Sequence, residues 1–277
     1  MARILVFDSG VGGLSILRAL QSSPDLQDEA HQWLFCSDNA QFPYGTKKEA
    51  ELISRVTDVL TALQDQYQPD ITVLACNTVS TLALETARTI LRNPVVGVVP
   101  AIKPAAQLSE SRCIGLLATP GTISRAYTQQ LIDDFASDCN IIRVGSSELV
   151  WMAENYLRNG MIDSTELHRI LAPLRDGITH YQMDTIILAC THFPLIVEPL
   201  YEQLPEIKHW VDSGEAIARR VAWCLSQRDA NRQTSETVAP NLALFTRIDA
   251  SVKDAERALG YFKLKDIRKL DIPLIGL

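Results

Sequence analysis

Val73-Leu74-Ala75-Cys76-Asn77-Thr78 and Ile187-Leu188-Ala189-Cys190-Thr191-His192 are two stretches built alike. In each, a short apolar run ends in a cysteine, and small polar residues and then a helical pattern follow. A short apolar run rich in β-branched residues and bounded by polar ones reads as a buried strand. Each thiol therefore stands at the carboxyl end of a strand and the amino end of a helix. Two halves that each present such a thiol can place them on opposite sides of one small molecule. Inverting a stereocentre by proton transfer needs one base on each face.

Working outward, strand-like and helix-like patterns alternate along the chain. Ile4–Phe7 is apolar, and Asp8-Ser9-Gly10-Val11-Gly12-Gly13 turns into a helix carrying Leu14, Leu17 and Leu20. Trp33–Cys36 reads as a strand, and Leu52, Ile53, Val56, Leu60, Leu63 and Tyr67 follow at helical spacing. Ile71–Ala75 precedes a helix marked by Val79, Leu82, Ala83, Ala87, Ile90 and Leu91. Pro94–Pro100 is an apolar stretch flanked by prolines and reads as a strand leading to a domain crossover. A second series opens at Cys113–Thr122, with helices expected near 124–136, 147–158 and 164–179 and a strand at Thr185–Ala189. Asp163 with Glu166 has the spacing of a capping box. Residues 227–240 read as a loop, Leu242–Ile248 as a strand, and Val252, Ala255, Leu259 and Phe262 as a last helix.

This alternation predicts an α/β fold with mainly parallel sheets covered on both faces by helices. The duplicated strand–Cys–helix unit predicts two similar lobes with the active site between them. Residues 1–97 plus 211–277 are assigned to the first lobe, and 98–210 to the second.

The chain has 277 residues, 47% hydrophobic and 21% charged, enough for one large or two small domains with proper cores. A net charge of −7 without a Lys/Arg cluster argues against a nucleic-acid or anionic-membrane partner. An anionic substrate must then be held by local groups, such as backbone N–H donors at helix starts. Met1–Asp8 lacks the apolar core of a signal peptide and reads as a first strand; no run approaches a membrane span. Six cysteines, at 36, 76, 113, 139, 190 and 224, do not form a disulfide framework in a chain this long. Reduced thiols and a cytoplasmic location are expected.

Cys36, Cys113, Cys139 and Cys224 read as small buried hydrophobes. Cys76 and Cys190 differ, because ligands bind at the carboxyl ends of strands in open α/β sheets. The positive end of a helix also favours thiolate over thiol. Asn77-Thr78 and Thr191-His192 can cap helices, or can donate and accept around a bound carboxylate and ammonium. His192 lies two residues from Cys190 and can tune its protonation. Asp8 can pair with a substrate ammonium or orient a thiol; its glycines lack the spacing of a dinucleotide loop. Asp212-Ser213-Gly214 echoes the opening motif but reads more readily as a helix cap. Pro43-Tyr44-Gly45 is a turn whose N–H groups can bind an anion. His31, His168, His180, His192 and His209 show no ligand spacing with the cysteines, and HExxH, CxxC, GxSxG and Walker motifs are absent. A site without metal or cofactor is expected, working by acid–base chemistry.

Together these motifs resemble the glutamate racemases of the aspartate/glutamate racemase superfamily. The matching segments are Phe7–Gly13, Phe42–Gly45, Ala75–Thr78, Ala118–Ile123, Ala189–Leu195 and Val211–Gly214. They run in order over nearly the whole chain and thin out after about residue 225. The resemblance implies cofactor-independent interconversion of L- and D-glutamate, the D form feeding peptidoglycan synthesis. It implies Cys76 and Cys190 as the paired acid and base, with Cys190 the base for L-glutamate and Cys76 for the D form. Asp8, Ser9, Tyr44, Gly45, Asn77, Thr78, Thr191 and His192 would line the substrate site, with Asp8 and His192 assisting the chemistry. Thr119 and Thr122 are further candidates from their matching segment. A family glutamate should fall near 148–154, where Glu148 and Glu154 both stand. Ser146–Val150 is similar to the enterobacterial branch, some of whose members need a muramyl-peptide precursor as activator. The oligomeric state is left open, a homodimer included.

Other readings remain open at this stage. Aspartate or a related amino acid is an alternative substrate within the superfamily. A non-catalytic amino-acid-binding protein would leave both cysteines incidental. A thiol hydrolase is disfavoured, because no nucleophile–base–orienter set is visible.

Overall fold

The computed structural model describes residues 1–27, 31–227 and 239–272. The chain divides into two compact units, residues 1–98 with 214–277, and residues 99–213. The divisions fall one residue later and three residues later than the sequence boundaries. Val211, Asp212 and Ser213 thus belong with the second unit, because His209–Val211 is a strand paired to Thr185–Ile187.

The first unit starts β1 (Arg3–Asp8), α1 (Leu14–Ser22), β2 (Gln32–Ser37), α2 (Glu49–Tyr67), β3 (Ile71–Leu74), α3 (Asn77–Ile90) and β4 (Val95–Gly97). The second unit holds α4 (Ile102–Leu108), β5 (Cys113–Ala118), α5 (Pro120–Ile123), α6 (Ala126–Phe135) and β6 (Asn140–Gly145). It continues with α7 (Glu148–Asn159), α8 (Ser164–Ile170), α9 (Ala172–Tyr181), β7 (Thr185–Ala189), α10 (Val197–Gln203) and β8 (His209–Val211). The chain then returns to the first unit with α11 (Gly214–Ser226), β9 (Leu242–Phe245), α12 (Ala250–Tyr261) and β10 (Asp266–Lys269).

The first sheet has the order β10-β9-β2-β1-β3-β4, the second β6-β5-β7-β8, and the strands pair in parallel throughout the described residues. Four strands of the first sheet, β2-β1-β3-β4, therefore repeat the whole order of the second. In this repeat β3 corresponds to β7, the two strands that deliver Cys76 and Cys190.

Burial explains why the strands read as continuous apolar runs. All residues of β3, β5 and β7 are buried, as a parallel sheet with helices on both faces requires. Helix α2 turns Leu52, Val56, Leu60 and Leu63 into the first core, where Val79, Ala83 and Ala87 of α3 also lie. The second core joins Ile114, Leu116 and Ile187 of the sheet to Ile102 and Ala105 of α4 and Ile132 of α6. Each such large side chain contributes roughly 1.5–3 kcal/mol through burial.

Polar side chains finish the amino edges of both sheets. Asp70 accepts from the Arg3 amide at 2.7 Å. Asp184 accepts from Ser109 Oγ, the Glu110 and Ser111 amides and Thr185 Oγ1, all within 2.9 Å. Burial alone would raise the Asp184 pKa, but these four donors outweigh it and hold it down at about 2.

Several expectations are corrected in detail. The expected helix over 124–136 is found as α6, and a separate short helix that was not expected precedes it at Pro120–Ile123, capped by Thr119. The helix over 164–179 breaks at Leu171 and continues from Ala172. Asp163 does cap α8, but Glu166 turns forward to Arg169 instead of back, so only half of the capping box forms. The strand at Leu242–Ile248 stops at Phe245, since Thr246 turns its hydroxyl to Asp38. Of the expected loop 227–240, residues 228–238 lie outside the described residues. The edge strand β10, Asp-Ile-Arg-Lys, was not expected, because its side chains are half-buried or exposed.

Candidate active site

In the first unit β1 ends at Asp8 beside β3, so the loops after both strands leave the sheet together. Asp8 is fully buried. Its Oδ1 accepts from the Gly10 amide at 2.9 Å and from Ser9 Oγ at 3.4 Å. Ser9 Oγ in turn lies 3.9 Å from Cys76 Sγ. A carboxylate, a hydroxyl and a sulfur thus form one chain across the carboxyl edge. Gly13 makes it possible: a Cβ there would stand 2.8 Å from Asp8 Cβ and 3.3 Å from Ala75 Cβ. The loop glycine serves close approach, as side chains of any size would push Asp8 aside.

Cys76 is the N-cap of α3, with Asn77 and Thr78 in the first turn. The Cys76 side chain makes no capping hydrogen bond, and Thr81 Oγ1 reaches back to the Asn77 carbonyl. Asn77 is buried, and its Oδ1 has no hydrogen-bond partner among the described residues. A buried, orphaned carboxamide acceptor one residue from a thiol is the mark of a site for a donor such as an ammonium.

Tyr44 is placed differently from the lining role expected of it. Its side chain is buried against Phe7, and its hydroxyl donates to Asp38 Oδ2 at 2.6 Å. Burial, with the Asp38 charge and hydrogen bond, holds its pKa well above the usual phenol range. Only the main chain of Tyr44 and Gly45 is left for a ligand. Asp38 also takes a bidentate fork from Arg55 at 2.7 and 2.9 Å and the Thr246 hydroxyl at 2.6 Å. The sequence reading missed this four-residue lock. Its signal is the carboxylate just past a strand end, with an arginine on the next helix.

In the second unit Cys190 directly follows β7, but the helix expected behind it is a four-residue 3-10 turn, Phe193–Ile196. Pro194 sits in its first turn, and α10 starts only at Val197. The dipole argument therefore favours Cys76 over Cys190. What Cys190 has instead is an imidazole: its Sγ lies 3.8 Å from His192 Nδ1. His192 Nε2 reaches Glu154 Oε1 at 2.8 Å, and Glu154 Oε2 accepts from Arg158 Nη2 at 2.7 Å. His192 and Glu154 are both about 2% exposed. Burial by itself lowers the His192 pKa. The hydrogen bonds and charges of Cys190 and Glu154 prevail and hold it well above the usual imidazole range.

Glu154 is thus the glutamate joined to the histidine. Glu148 lies at the start of α7, accepting from Ser146 Oγ at 3.0 Å, and its pKa is held below the usual range by its own backbone amide and by Ser146. Thr119 caps α5 through the Thr122 amide at 3.2 Å, and the two hydroxyls lie 3.0 Å apart. Thr191 is buried beside Cys190. Ser213 Oγ donates to the Val99 carbonyl, so the repeated Asp-Ser-Gly does structural work there. Cys36, Cys113 and Cys224 are buried as the core reading expects, whereas Cys139 is only half-buried; burial raises the pKa of Cys36, Cys113 and Cys139. Among the described residues, no group of three His, Cys, Asp or Glu side chains is arranged to hold a metal ion.

The model of the Asp/Glu/hydantoin racemases matches residues 4–221, spanning both thiols, their polar partners Ser9, Asp8, His192 and Glu154, and Arg158. The chain belongs to this racemase family. Among racemases of the family, the glutamate racemase of Shewanella loihica is 53% identical over 220 residues, 79% of this chain and 80% of its own length. That of Klebsiella pneumoniae is 47% identical over 271 residues, 97% and 92% of the two lengths. Among solved structures, Escherichia coli glutamate racemase in complex with L-glutamate and the activator UDP-MurNAc-Ala superimposes with a TM-score of 0.89 at 40% identity. That match covers 98% of this chain and 99% of the other. The racemase fold, with two parallel α/β sheets, is shared throughout. Among the described residues no helix is long and apolar enough to cross a membrane.

Proposed function

We propose that this chain interconverts L- and D-glutamate without a cofactor, using Cys76 and Cys190 as a reversible acid–base pair. The observation that carries it is the repeat: corresponding strands β3 and β7 each end in a thiol with a polar partner inside 4 Å. For L-glutamate, the Cys190 thiolate removes the α-proton and the Cys76 thiol returns one from the other face. For D-glutamate the roles reverse.

The α-hydrogen is a weak acid, so proton transfer by a placed base is not enough. Each tenfold in rate takes about 1.4 kcal/mol from the barrier, and several preorganised donors must share that work. Backbone amides of Ser9 and of the Tyr44–Gly45 and Thr191–His192 turns are the candidates for the carboxylates, the Gly10 amide being taken by Asp8. Asn77 Oδ1 accepts from the ammonium. His192 donates to Cys190 sulfur, held in line by Glu154. Ser9 Oγ and Asp8 serve Cys76.

The product supplies D-glutamate for peptidoglycan, in the cytoplasm, where thiols stay reduced. The activator in the E. coli complex supports a muramyl-peptide nucleotide as an activator here as well.

The test is proton exchange in heavy water. Solvent deuterium enters the α-position of glutamate mainly in the inverted product, and aspartate serves as the competing substrate. Cys76→Ala and Cys190→Ala each abolish racemisation, by more than about a thousandfold in kcat. Full racemase activity in either variant would refute the two-thiol mechanism.

A further inference from the structure

We propose that Arg158 is a positioning residue for proton transfer at Cys190: it anchors Glu154, and Glu154 in turn fixes His192 against the thiol. The inference rests on the two-thiol reading above. Arg158 stands one helical turn after Glu154 on α7, an i,i+4 pair that shares one face. The pair is unlike a surface ion pair, since the Glu154 side chain is 2% exposed and that of Arg158 only 21%. Each Glu154 oxygen has its own partner, His192 Nε2 on Oε1 and Arg158 Nη2 on Oε2.

A carboxylate held at one oxygen swings about its last torsion, which has no deep staggered wells. Held at both, it cannot. The direction of Oε1, and with it the plane of the His192 ring, is then set. That plane decides whether Nδ1 points at Cys190 Sγ, 3.8 Å away. The arginine also compensates, together with the imidazole, a carboxylate that is buried. Two residues later α7 ends at Gly160, whose φ of 71° lies in the left-handed region. The helix therefore closes just beyond the arginine.

Arg158 touches neither thiol in this relay, so its effect must be read at one proton transfer only. L- and D-glutamate are equally stable, so kcat/KM must be the same in both directions for any variant. The distinguishing readout is the isotope effect. If transfer at Cys190 alone is slowed, it becomes more rate-limiting. The α-deuterium effect then grows for L-glutamate, whose proton Cys190 removes. It shrinks for D-glutamate, whose proton goes to Cys76, while the solvent deuterium effect on that direction grows.

The experiment compares the full-length protein with Arg158→Met and Arg158→Lys, using α-protonated and α-deuterated L- and D-glutamate. Arg158→Met is expected to lower kcat/KM about tenfold and to split the two α-deuterium effects in opposite senses. Arg158→Lys, which keeps a cation near Oε2, returns kcat/KM to within about threefold of the native protein. Unchanged kcat/KM in Arg158→Met overturns the inference. So does a loss of activity with both isotope effects unmoved, which is what a smaller folded fraction produces. Racemisation by Cys190→Ala would overturn the two-thiol reading itself, and is separable because it does not involve Arg158.

Discussion

At the scale of single residues, the two thiols are served by different chemistry. Cys76 meets a hydroxyl backed by a carboxylate, and Cys190 meets an imidazole backed by a carboxylate. Only the second set contains an imidazole, whose pKa its partners raise well above the usual range. The His192 pKa is raised in the folded protein, so its contribution to stability has a definite sign. It is fully present below the ordinary imidazole value of about 6.5 and is lost as pH rises through the folded value. His192→Asn removes that dependence. Melting temperatures measured across this range should therefore converge between the native protein and His192→Asn on the alkaline side and separate on the acid side. Parallel curves would show that His192 stays neutral when folded. The same residue shows what sequence can reveal. Its position two after Cys190 was visible, but its partner lies 38 positions away in sequence. Glu148 and Glu154 were equal candidates by spacing. Only the turn of α7 separates them, putting Glu154 inside and Glu148 at the helix start among its own amides.

At the scale of elements, apolar strands and helices were legible because burial on both faces leaves a continuous signal, as in β3 and β7. Less legible were features that depend on polar partners far away in sequence. Tyr44 is the case in point: its place in a Pro-Tyr-Gly turn suggested a ligand contact, yet its hydroxyl goes to Asp38. The lock of Asp38, Tyr44, Arg55 and Thr246 ties the end of β2 to the following turn, to α2 and to the residue after β9. Removing the carboxylate leaves Arg55, with its side chain 24% exposed, facing an empty partner. Asp38→Ala should cost about 3 kcal/mol, the low end for breaking a buried pair, while Tyr44→Phe should cost about 1 kcal/mol. Urea midpoints at constant slope measure both. If Asp38→Ala unfolds no earlier than Tyr44→Phe, the lock is not a stability element. The edge strand β10 escaped notice for the opposite reason, since a tetrapeptide with three charged residues at an edge carries little apolar signal.

At the scale of the whole molecule, the order β2-β1-β3-β4 in one sheet and β6-β5-β7-β8 in the other makes each unit complete in its own pairing. The repeat was suggested by the two cysteine segments, but the extra strands β9 and β10 belong to one unit only. The second unit is a single stretch of chain, 99–213, and its apolar cluster is drawn from 101–211 alone. A fragment of residues 99–213 is therefore expected to fold by itself, with α/β circular dichroism and cooperative thermal unfolding. It carries one of the two thiols and should racemise nothing. A fragment without a cooperative transition would show that this core needs the rest of the chain.

The two rims of each parallel sheet have been given separate duties. Asp70 and Asp184 tie down strand beginnings, whereas Asp8, Cys76 and Cys190 stand where strands finish. Part of the heat resistance is thus written at the margin away from turnover, although the Asp38 lock shares the catalytic margin. Selection for one can proceed through substitutions at the first margin while leaving the second untouched, which gives such a catalyst room to adapt to temperature without relearning its chemistry.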